Sequence, residues 1–345
     1  MSKDESTQLK GIAILMMLWL HLFSDINVTE ECANLVFYKG KPLAYMLTKL
    51  ASCCVPLYTF LGGYGLAATF RNRQGQMNNR RRALLLMVNF WVVCLLFIPL
   101  GCLFRPDIFP GSWSKLLLNL TGISCSYNGA WWFLLPYVLI TLCSKSIIGT
   151  LFRSNIKQET AIIGLLLLGH IGAYIYKEVG NIEQDSLELL IITGTEFVYL
   201  LFMFALGVTA LKHKWVENLR QRLQNHQLPW PNLLLFLTLM AVCFLRISIG
   251  NSALLHPPFV VAIVLLYALL DKPKGYVRAA MYLGGHSTNL WLCHFFFICM
   301  LLQNQIYQLR YPIAIFLGLT VLSLLASYLI RAIHLPVKQA ILARQ

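Results

Sequence analysis

The chain carries little charge for its length, and acidic residues are the scarcer kind. Asp and Glu number 14 against 28 Lys and Arg among 345 residues, and charged residues make up only 12% of the sequence. A soluble domain of ordinary composition has roughly twice that charged fraction. Hydrophobic residues reach 58%, and the mean hydropathy is +0.65. These values exclude an ordinary soluble protein and indicate a chain that lies in a lipid bilayer.

The sequence also lacks the short motifs of several common enzyme classes. It has no Cys-x-x-Cys pair, no Walker loop, no Gly-x-Ser-x-Gly elbow and no His-Glu-x-x-His pattern. We therefore expect neither a metal site nor a permanently bound cofactor. No internal repeat is visible, direct or inverted. Its absence disfavours the commonest transporter architectures, whose two halves resemble each other.

Ten apolar runs are long enough to form membrane helices. We predict helices at residues 11–27, 45–68, 83–103, 131–149, 160–177, 190–211, 232–250, 255–270, 279–303 and 311–333. Every second loop is short and basic, and because Lys and Arg stay on the cytoplasmic side, both termini are predicted to be cytoplasmic. The expected fold is an all-α polytopic membrane protein whose residues 1–345 form a single domain. The surplus of positive charge is explained by this topology, so no nucleic-acid partner is expected.

The first apolar run contains an ionisable side chain, His21, eleven residues after Lys10. Eleven residues are about three helical turns, which places both on nearly one face, about 16 Å apart. Asp25 would lie one turn further along that face. We predict Lys10 at the membrane surface, His21 at mid-depth as a general base, and Asp25 as the carboxylate that orients the imidazole. The alternatives are a His satisfied by a neighbouring helix and an acid facing water at the helix end.

Two further segments could bind ligands. Arg80, Arg81 and Arg82 follow each other at a helix entrance, where guanidinium groups could bind phosphate, although anchoring at the cytoplasmic surface explains them equally well. The ninth run contains His286, Ser287, Thr288, Asn289 and His294. Polar groups at that density must face other helices or a cavity, so we predict a cavity there.

Together these segments resemble the membrane acyltransferase 3 family, the multi-span acyltransferases that modify bacterial surface glycans. The resemblance rests on the basic residue Lys10 followed by His21, on Tyr58-Thr-Phe-Leu-Gly-Gly-Tyr64, on Arg80–Arg82, on Trp131-Trp-Phe-Leu134 and on the Gly-x-x-Ser…His pattern of residues 283–294. It covers almost the whole chain. In two respects the sequence departs from the family: Lys10 replaces the commoner Arg, and the arginines are contiguous rather than spaced as Arg-x-x-Arg.

The resemblance implies an O-acyltransferase of the bacterial inner membrane, most simply an O-acetyltransferase. Acyl-CoA, such as acetyl-CoA, would be the co-substrate from the cytoplasm, and a glycan or lipid-linked sugar would be the acceptor on the other side. It further implies His21 as the catalytic histidine and Lys10, with Arg80, Arg81 and Arg82, as donor-binding residues. Ser287, Asn289, His294 and Trp132 are the candidates for contacts with the substrate.

Other hypotheses remain open from the sequence. A flippase or exporter for a lipid-linked sugar or polysaccharide would share the polar cavity and the basic inner surface, but it would not need His21 beneath Lys10. Within the acyltransferase hypothesis, direct transfer and an acyl-histidine intermediate are both open. A homo-oligomer is compatible with the sequence, which carries no sign for or against it.

Overall fold

The computed structural model describes residues 1–179, 186–225, 231–250 and 252–343, and almost all of these residues are helical. The sheet found in these ranges is a small hairpin in which β1 (Phe37–Tyr38) pairs antiparallel with β2 (Lys41–Pro42). The predicted all-α class is confirmed.

The helices follow one another through the described ranges with short connections. In chain order they are α1 (Lys3–Phe23), α2 (Ile26–Glu30), α3 (Leu43–Ala51), α4 (Cys54–Asn72), α5 (Asn79–Phe104), α6 (Trp113–Thr121), α7 (Leu134–Arg153), α8 (Ile156–Val179), α9 (Ser186–Lys212), α10 (Trp215–Asn225), α11 (Pro231–Ser248), α12 (His256–Leu269), α13 (Lys274–Phe296), α14 (Gln303–Tyr307) and α15 (Pro312–Ala343). A 3₁₀ turn (Gly129–Phe133) precedes α7, another (Ala253–Leu255) precedes α12, and a π-helical turn (Phe297–Leu301) follows α13.

Eight helical segments of the described ranges are long and apolar enough to cross a membrane, and each matches a predicted run. They are Lys3–Phe23, Leu43–Asn72, Asn79–Phe104, Gly129–Arg153, Ile156–Val179, Glu188–Lys212, Pro231–Ser248 and Pro312–Ala343. The two other predicted runs are also helical. One, Ala253–Leu269, is shorter, and the other, α13, is interrupted by polar residues. The chain is therefore an integral membrane protein with many spans.

The first helix begins at Lys3 rather than at residue 11 and ends at Phe23 rather than at residue 27. Its start is set by a capping box, in which the Glu5 N–H donates to Ser2 Oγ and the Ser2 N–H donates to the Glu5 carboxylate. The polar residues before the apolar run therefore belong to the helix. Every side chain of the apolar run therefore lies further from the start of α1 than predicted.

The second span is broken into α3 and α4 at Ser52 and Cys53. Pro56 lies in the first turn of α4 and has no N–H to donate to the preceding turn. The Ser52 hydroxyl donates instead to the Lys49 carbonyl at 2.7 Å. It also accepts a bond from the buried Arg246, whose Nη2 lies 3.2 Å away. The break is thus stabilised by side chains from a neighbouring helix.

Successive spans run in opposite directions, so their ends collect at two faces of the bundle. At one face the Met1 ammonium lies 2.8 Å from Glu217 of α10, and Arg220 lies 3.6 Å from Glu5. We call this face the basic end, because Arg71, Arg73 and Arg82 lie there beside Met1 and Glu217. At the opposite face, the far end, the Tyr307 hydroxyl donates to the Leu22 carbonyl.

The helices α1 and α13 run side by side in the same direction with their backbones in contact. Gly11 lies against Ala280, and Gly284 lies against Thr7, so closely that a β-carbon at either glycine would overlap a backbone carbonyl oxygen. Small residues permit this approach in membrane proteins. The crossing brings the His21 face of α1 onto the polar face of α13.

Candidate active site

A cavity of about 740 Å³ opens at the basic end between α1, α4, α5 and α7. Five basic side chains line it, and Glu217 is the carboxylate among the lining residues. The basic residues are Lys3, Lys10, Arg71, Arg73 and Arg82. We call this space the entrance cavity. Its surplus of positive charge suits an anion with several charges, since guanidinium groups bind phosphate through paired hydrogen bonds.

The carboxylate of Glu217 does not cancel this charge, because it is already paired. It accepts a hydrogen bond from the Met1 ammonium, which also donates to the Tyr64 hydroxyl at 2.8 Å. Partial burial would raise the pKa of Glu217, but the hydrogen bonds it accepts and the positive charges of the ammonium and Arg220 together hold the pKa below its usual value. Glu217 is therefore ionised at neutral pH and serves the N-terminus.

A second, smaller space of about 80 Å³ lies deeper, and we call it the inner cavity. Lys10 and Tyr137 line both cavities, so they mark the passage from one to the other. The remaining polar lining consists of Tyr58, Ser287, Thr288 and Trp291. The Tyr58 hydroxyl donates to the Lys10 carbonyl at 3.0 Å, which joins α4 to α1 at this level.

One helical turn beyond the inner cavity, His294 is fully buried on the same helix as Ser287 and Trp291. Its Nδ1 lies 2.9 Å from the Leu290 carbonyl and 3.0 Å from the Trp291 carbonyl. Carbonyl oxygens only accept hydrogen bonds, so Nδ1 carries the proton and Nε2 has a free lone pair. Among the described residues Nε2 has no hydrogen-bond partner. A buried acceptor without a donor is costly in a stable structure and points to a function.

The imidazole of His21 packs edge-on against that of His294, with 5.0 Å between ring centroids, and against Phe295 at 5.3 Å. His21 is half-buried. The two histidines come from different spans and are brought together by the α1–α13 crossing. Neither histidine is among the residues that line the entrance cavity or the inner cavity.

The chain as a whole matches one family of proteins. The sequence model of the family described as an acyltransferase domain, the acyltransferase 3 family, matches residues 5–332. The chain belongs to this family. Comparison with curated proteins gave no match, and comparison with solved structures gave none either. The resemblance found in the sequence is thus confirmed, and the protein is a membrane acyltransferase.

In the acyltransferase, the start and end of α1 fix where its two main residues lie along the helix. Because α1 starts at Lys3, Lys10 lies about 10 Å from the first helical residue. His21 lies in the last turn of α1, toward the far end. The spacing between them is as predicted, because α1 is continuous from one to the other.

The predicted position of Asp25 is wrong. The helix ends at Phe23, so Asp25 is not one turn beyond His21 on the same face. Its carboxylate is exposed and accepts a hydrogen bond from the Asn27 N–H at 2.9 Å, which caps α2. The described residues include no hydrogen bond between Asp25 and His21. A helix cap, rather than an orienting carboxylate, accounts for this residue.

Of the three consecutive arginines, only Arg82 lines the entrance cavity. Successive helical residues point about 100° apart, so three neighbours cannot all face one space. Arg80 is exposed and Arg81 is half-buried outside the cavity. Two other arginines, Arg71 and Arg73 at the end of α4, line the entrance cavity together with Arg82. The basic loop signals a charged surface in the sequence, but it does not say which of its residues face inward.

Of the candidate substrate residues, likewise, some line a cavity and others do not. Ser287 lines the inner cavity, whereas Asn289 accepts from Asn89 Nδ2 at 2.7 Å and donates to the Ser327 carbonyl at 3.3 Å. Asn289 thus joins α13 to α5 and α15 and lines neither cavity. Trp132 is half-buried and lies at the far end, in a third cavity of about 450 Å³ that it shares with the buried Glu196.

Sequence analysis missed Tyr137 and gave no role to Tyr58 or Trp291, although all three line the inner cavity. Single aromatic or hydroxyl residues in apolar spans resemble ordinary packing residues, so they give little signal. Within the described ranges, no group of three or more His, Cys, Asp and Glu side chains is placed to hold a metal ion.

Proposed function

We propose that this acyltransferase transfers an acyl group, most simply acetyl, from cytoplasmic acyl-CoA to a hydroxyl group of a cell-envelope glycan. One observation carries the proposal: the entrance cavity leads through Lys10 to the inner cavity, along the same helix that holds the His21 ring 5.0 Å from the ring of His294. A basic opening, a polar interior and a reactive imidazole pair are arranged in that order.

The phosphates of the donor would bind in the entrance cavity, where Arg71, Arg73 and Arg82 supply guanidinium groups. Lys10 then lies at the neck, where its ammonium can bind the last phosphate or a carbonyl oxygen of the pantetheine arm. From Lys10 to His21 the helix rises about 16 Å, a distance that an extended pantetheine arm is suited to cover. The thioester would therefore reach the histidine pair while the nucleotide stays at the basic end.

The acceptor would approach from the far end, where the cavity at Trp132 offers an aromatic face and the carboxylate of Glu196. Lys177 bonds Glu196 at 3.2 Å and lies 5.0 Å from the centroid of the Trp132 ring. Aromatic rings pack against the C–H faces of sugars, and a carboxylate accepts hydrogen bonds from hydroxyl groups. Trp132 thus stays a candidate for the acceptor rather than for the donor.

The chemical step needs a base for the acceptor hydroxyl. His21 would donate its own N–H to the free Nε2 of His294, leaving the second ring nitrogen of His21 to take the hydroxyl proton. The hydroxyl oxygen attacks the thioester carbon, the C–S bond breaks, and the thiolate takes the proton back from His21. Since the N–H of His294 is bonded to backbone carbonyls, His294 acts as an acceptor and orients His21. The imidazolium of His21 would be the donor that stabilises the oxyanion.

The test is acetyl transfer from radiolabelled acetyl-CoA to surface glycan in membranes that contain the protein. His21→Ala should reduce the transferred label to the background of membranes without the protein. His334→Ala, which changes a histidine of α15 outside the described cavities, is the matched control and should keep the activity. Full transfer by His21→Ala, at an equal amount of protein in the membrane, would overturn the proposal.

A further inference from the structure

A fourth space, distinct from the catalytic path, lies on the side of the bundle between α1, α3, α11, α12 and the start of α13. It has a volume of about 660 Å³ and is lined almost entirely by apolar side chains. Leu233, Phe236 and Met240 of α11 line it and are 53%, 49% and 42% exposed. Apolar side chains with that exposure on a membrane-spanning helix face lipid. The space is therefore a groove that opens toward the bilayer, and we call it the lateral groove.

The length of the lateral groove matches one leaflet of a membrane. It runs along α11 from Asn232 to Cys243, eleven residues or about 16 Å. The hydrocarbon core of a bilayer is about 30 Å thick, so half of it is close to that length. An acyl chain that enters at the basic end would fill the groove and finish near the middle of the membrane.

Polar groups are confined to the basic end of the lateral groove, where Asn232, Asp271, Lys272 and Tyr276 line it. The Lys272 ammonium donates to the Tyr267 and Leu270 carbonyls, each at 2.7 Å. An ammonium has three N–H groups, so one donor remains for a ligand. Asp271 is exposed to solvent, where water screens its charge, and its backbone is tied to Asn232.

We propose that the lateral groove binds one phospholipid of the leaflet at the basic end, with an acyl chain along α11 and the phosphate at Lys272. A free phosphate would leave the apolar length of the groove empty, whereas a phospholipid fills both parts. Partial burial lowers the pKa of Lys272, and a phosphate beside the ammonium would offset this cost of burial.

This lipid would contact the back of the helix that carries the catalytic candidates. Ile12 and Met16 of α1 line the lateral groove, and they lie about 140–180° from His21 and about 120–160° from Lys10 around the helix. The front of α1 thus faces the donor path while its back faces the lipid. Binding would stabilise α1 against α11 and α12 without touching the substrate.

The experiment is native mass spectrometry of the full chain transferred into detergent from nanodiscs of dioleoyl-phosphatidylglycerol. We expect one lipid to remain bound to the unchanged protein. Met240→Trp, which fills the groove, and Lys272→Ala should each lower the lipid-bound fraction at least tenfold. The matched controls are Leu237→Trp, on an exposed face of α11 outside the groove, and Lys274→Ala, which is exposed and does not line it. Both controls should retain the lipid.

Lys272 also caps the end of α12, so loss of lipid in Lys272→Ala alone could reflect a disturbed helix end. Met240→Trp leaves that cap intact, so it tests the binding of the acyl chain separately. Dioleoylglycerol, which lacks the phosphate, should be retained at least tenfold less than phosphatidylglycerol. Equal retention of both lipids, or an unchanged lipid-bound fraction in Met240→Trp, would overturn the proposal.

Discussion

His294 uses one ring nitrogen for structure and leaves the other free. Its protonated Nδ1 is bonded to two carbonyls of its own helix, and its buried Nε2 faces no donor among the described residues. Its ring N–H is therefore already bonded and is not free to donate to a substrate. An acceptor that orients His21 fits these hydrogen bonds.

This assignment predicts a separation between binding and turnover. His294→Phe keeps the ring volume and removes the acceptor, so we expect kcat for acetyl transfer to fall at least a hundredfold, while the Kd for acetyl-CoA changes less than twofold. Turnover kinetics and equilibrium binding with the purified protein measure the two effects. A large loss of acetyl-CoA binding, with kcat preserved, would contradict the assignment.

The arginines give a second prediction at this scale. Arg82 lines the entrance cavity and Arg80 does not, although both belong to the same basic run. Arg82→Gln should weaken acetyl-CoA binding roughly tenfold or more, because a hydrogen bond to a charged group contributes about 1.5–3 kcal/mol. Arg80→Gln should leave the Kd within twofold. Isothermal titration in nanodiscs compares them, and a larger effect from Arg80 would place the donor elsewhere.

At the scale of elements, the crossing of α1 with α13 determines whether the histidines meet. Gly284 has the Thr7 carbonyl where a β-carbon would lie, whereas the adjacent Gly285 has open space there. Adding one methyl group therefore has opposite consequences at two neighbouring positions.

Gly284→Ala should destabilise the protein by about 1–3 kcal/mol, because the backbone of α1 has to move. Gly285→Ala should be neutral or stabilising by up to about 1 kcal/mol, since Ala favours the helix more than Gly does. Thermal unfolding in the same detergent compares both variants with the unchanged protein, and Gly284→Ala should also lose activity. An equal fall in Tm for both would show that the crossing is looser than described.

The sequence predicted the presence of the helices better than the residues at which they begin and break. Apolar runs located the eight candidate spans of the described ranges and two further helices, because hydrophobic length is a local property. The start of α1 was placed too late, because Ser2 and Glu5 extend the helix through polar residues. The break at Ser52 was missed, since it depends on Arg246 from a distant part of the chain.

The same distinction applies to the site. His21, Lys10 and Ser287 could be found because ionisable and polar groups in apolar runs are conspicuous. The pairing of His21 with His294 could not be deduced, because it depends on how two helices separated by more than 250 residues rotate against each other. Asn289 illustrates the limit: it lies two residues from Ser287 and points into a different helix interface.

At the scale of the whole molecule, the basic end and the far end differ in charge, and the positive-inside rule predicts that the basic end is cytoplasmic. The hairpin turn at Lys39 and Gly40 is exposed at the far end, and α15 returns the chain to the basic end.

An epitope inserted between Lys39 and Gly40 should therefore be accessible to antibody on intact spheroplasts. An epitope fused after residue 345 should become accessible only after the membrane is permeabilised. Immunofluorescence or protease protection reads both positions, with a cytoplasmic protein as the control for intact spheroplasts. The reverse pattern would place the entrance cavity outside the cell and exclude cytoplasmic acyl-CoA as its ligand.

The contact of backbones at Gly11 and Gly284 has one more consequence. It holds α1 and α13 rigidly against each other, so the distance from Lys10 to His21 is fixed. A longer acyl group would keep its reactive carbon at His21 and extend beyond it toward the far end. A shortened carrier arm would not reach His21. Such an enzyme would tolerate variation in the group that it delivers far better than variation in the length of the arm that carries it.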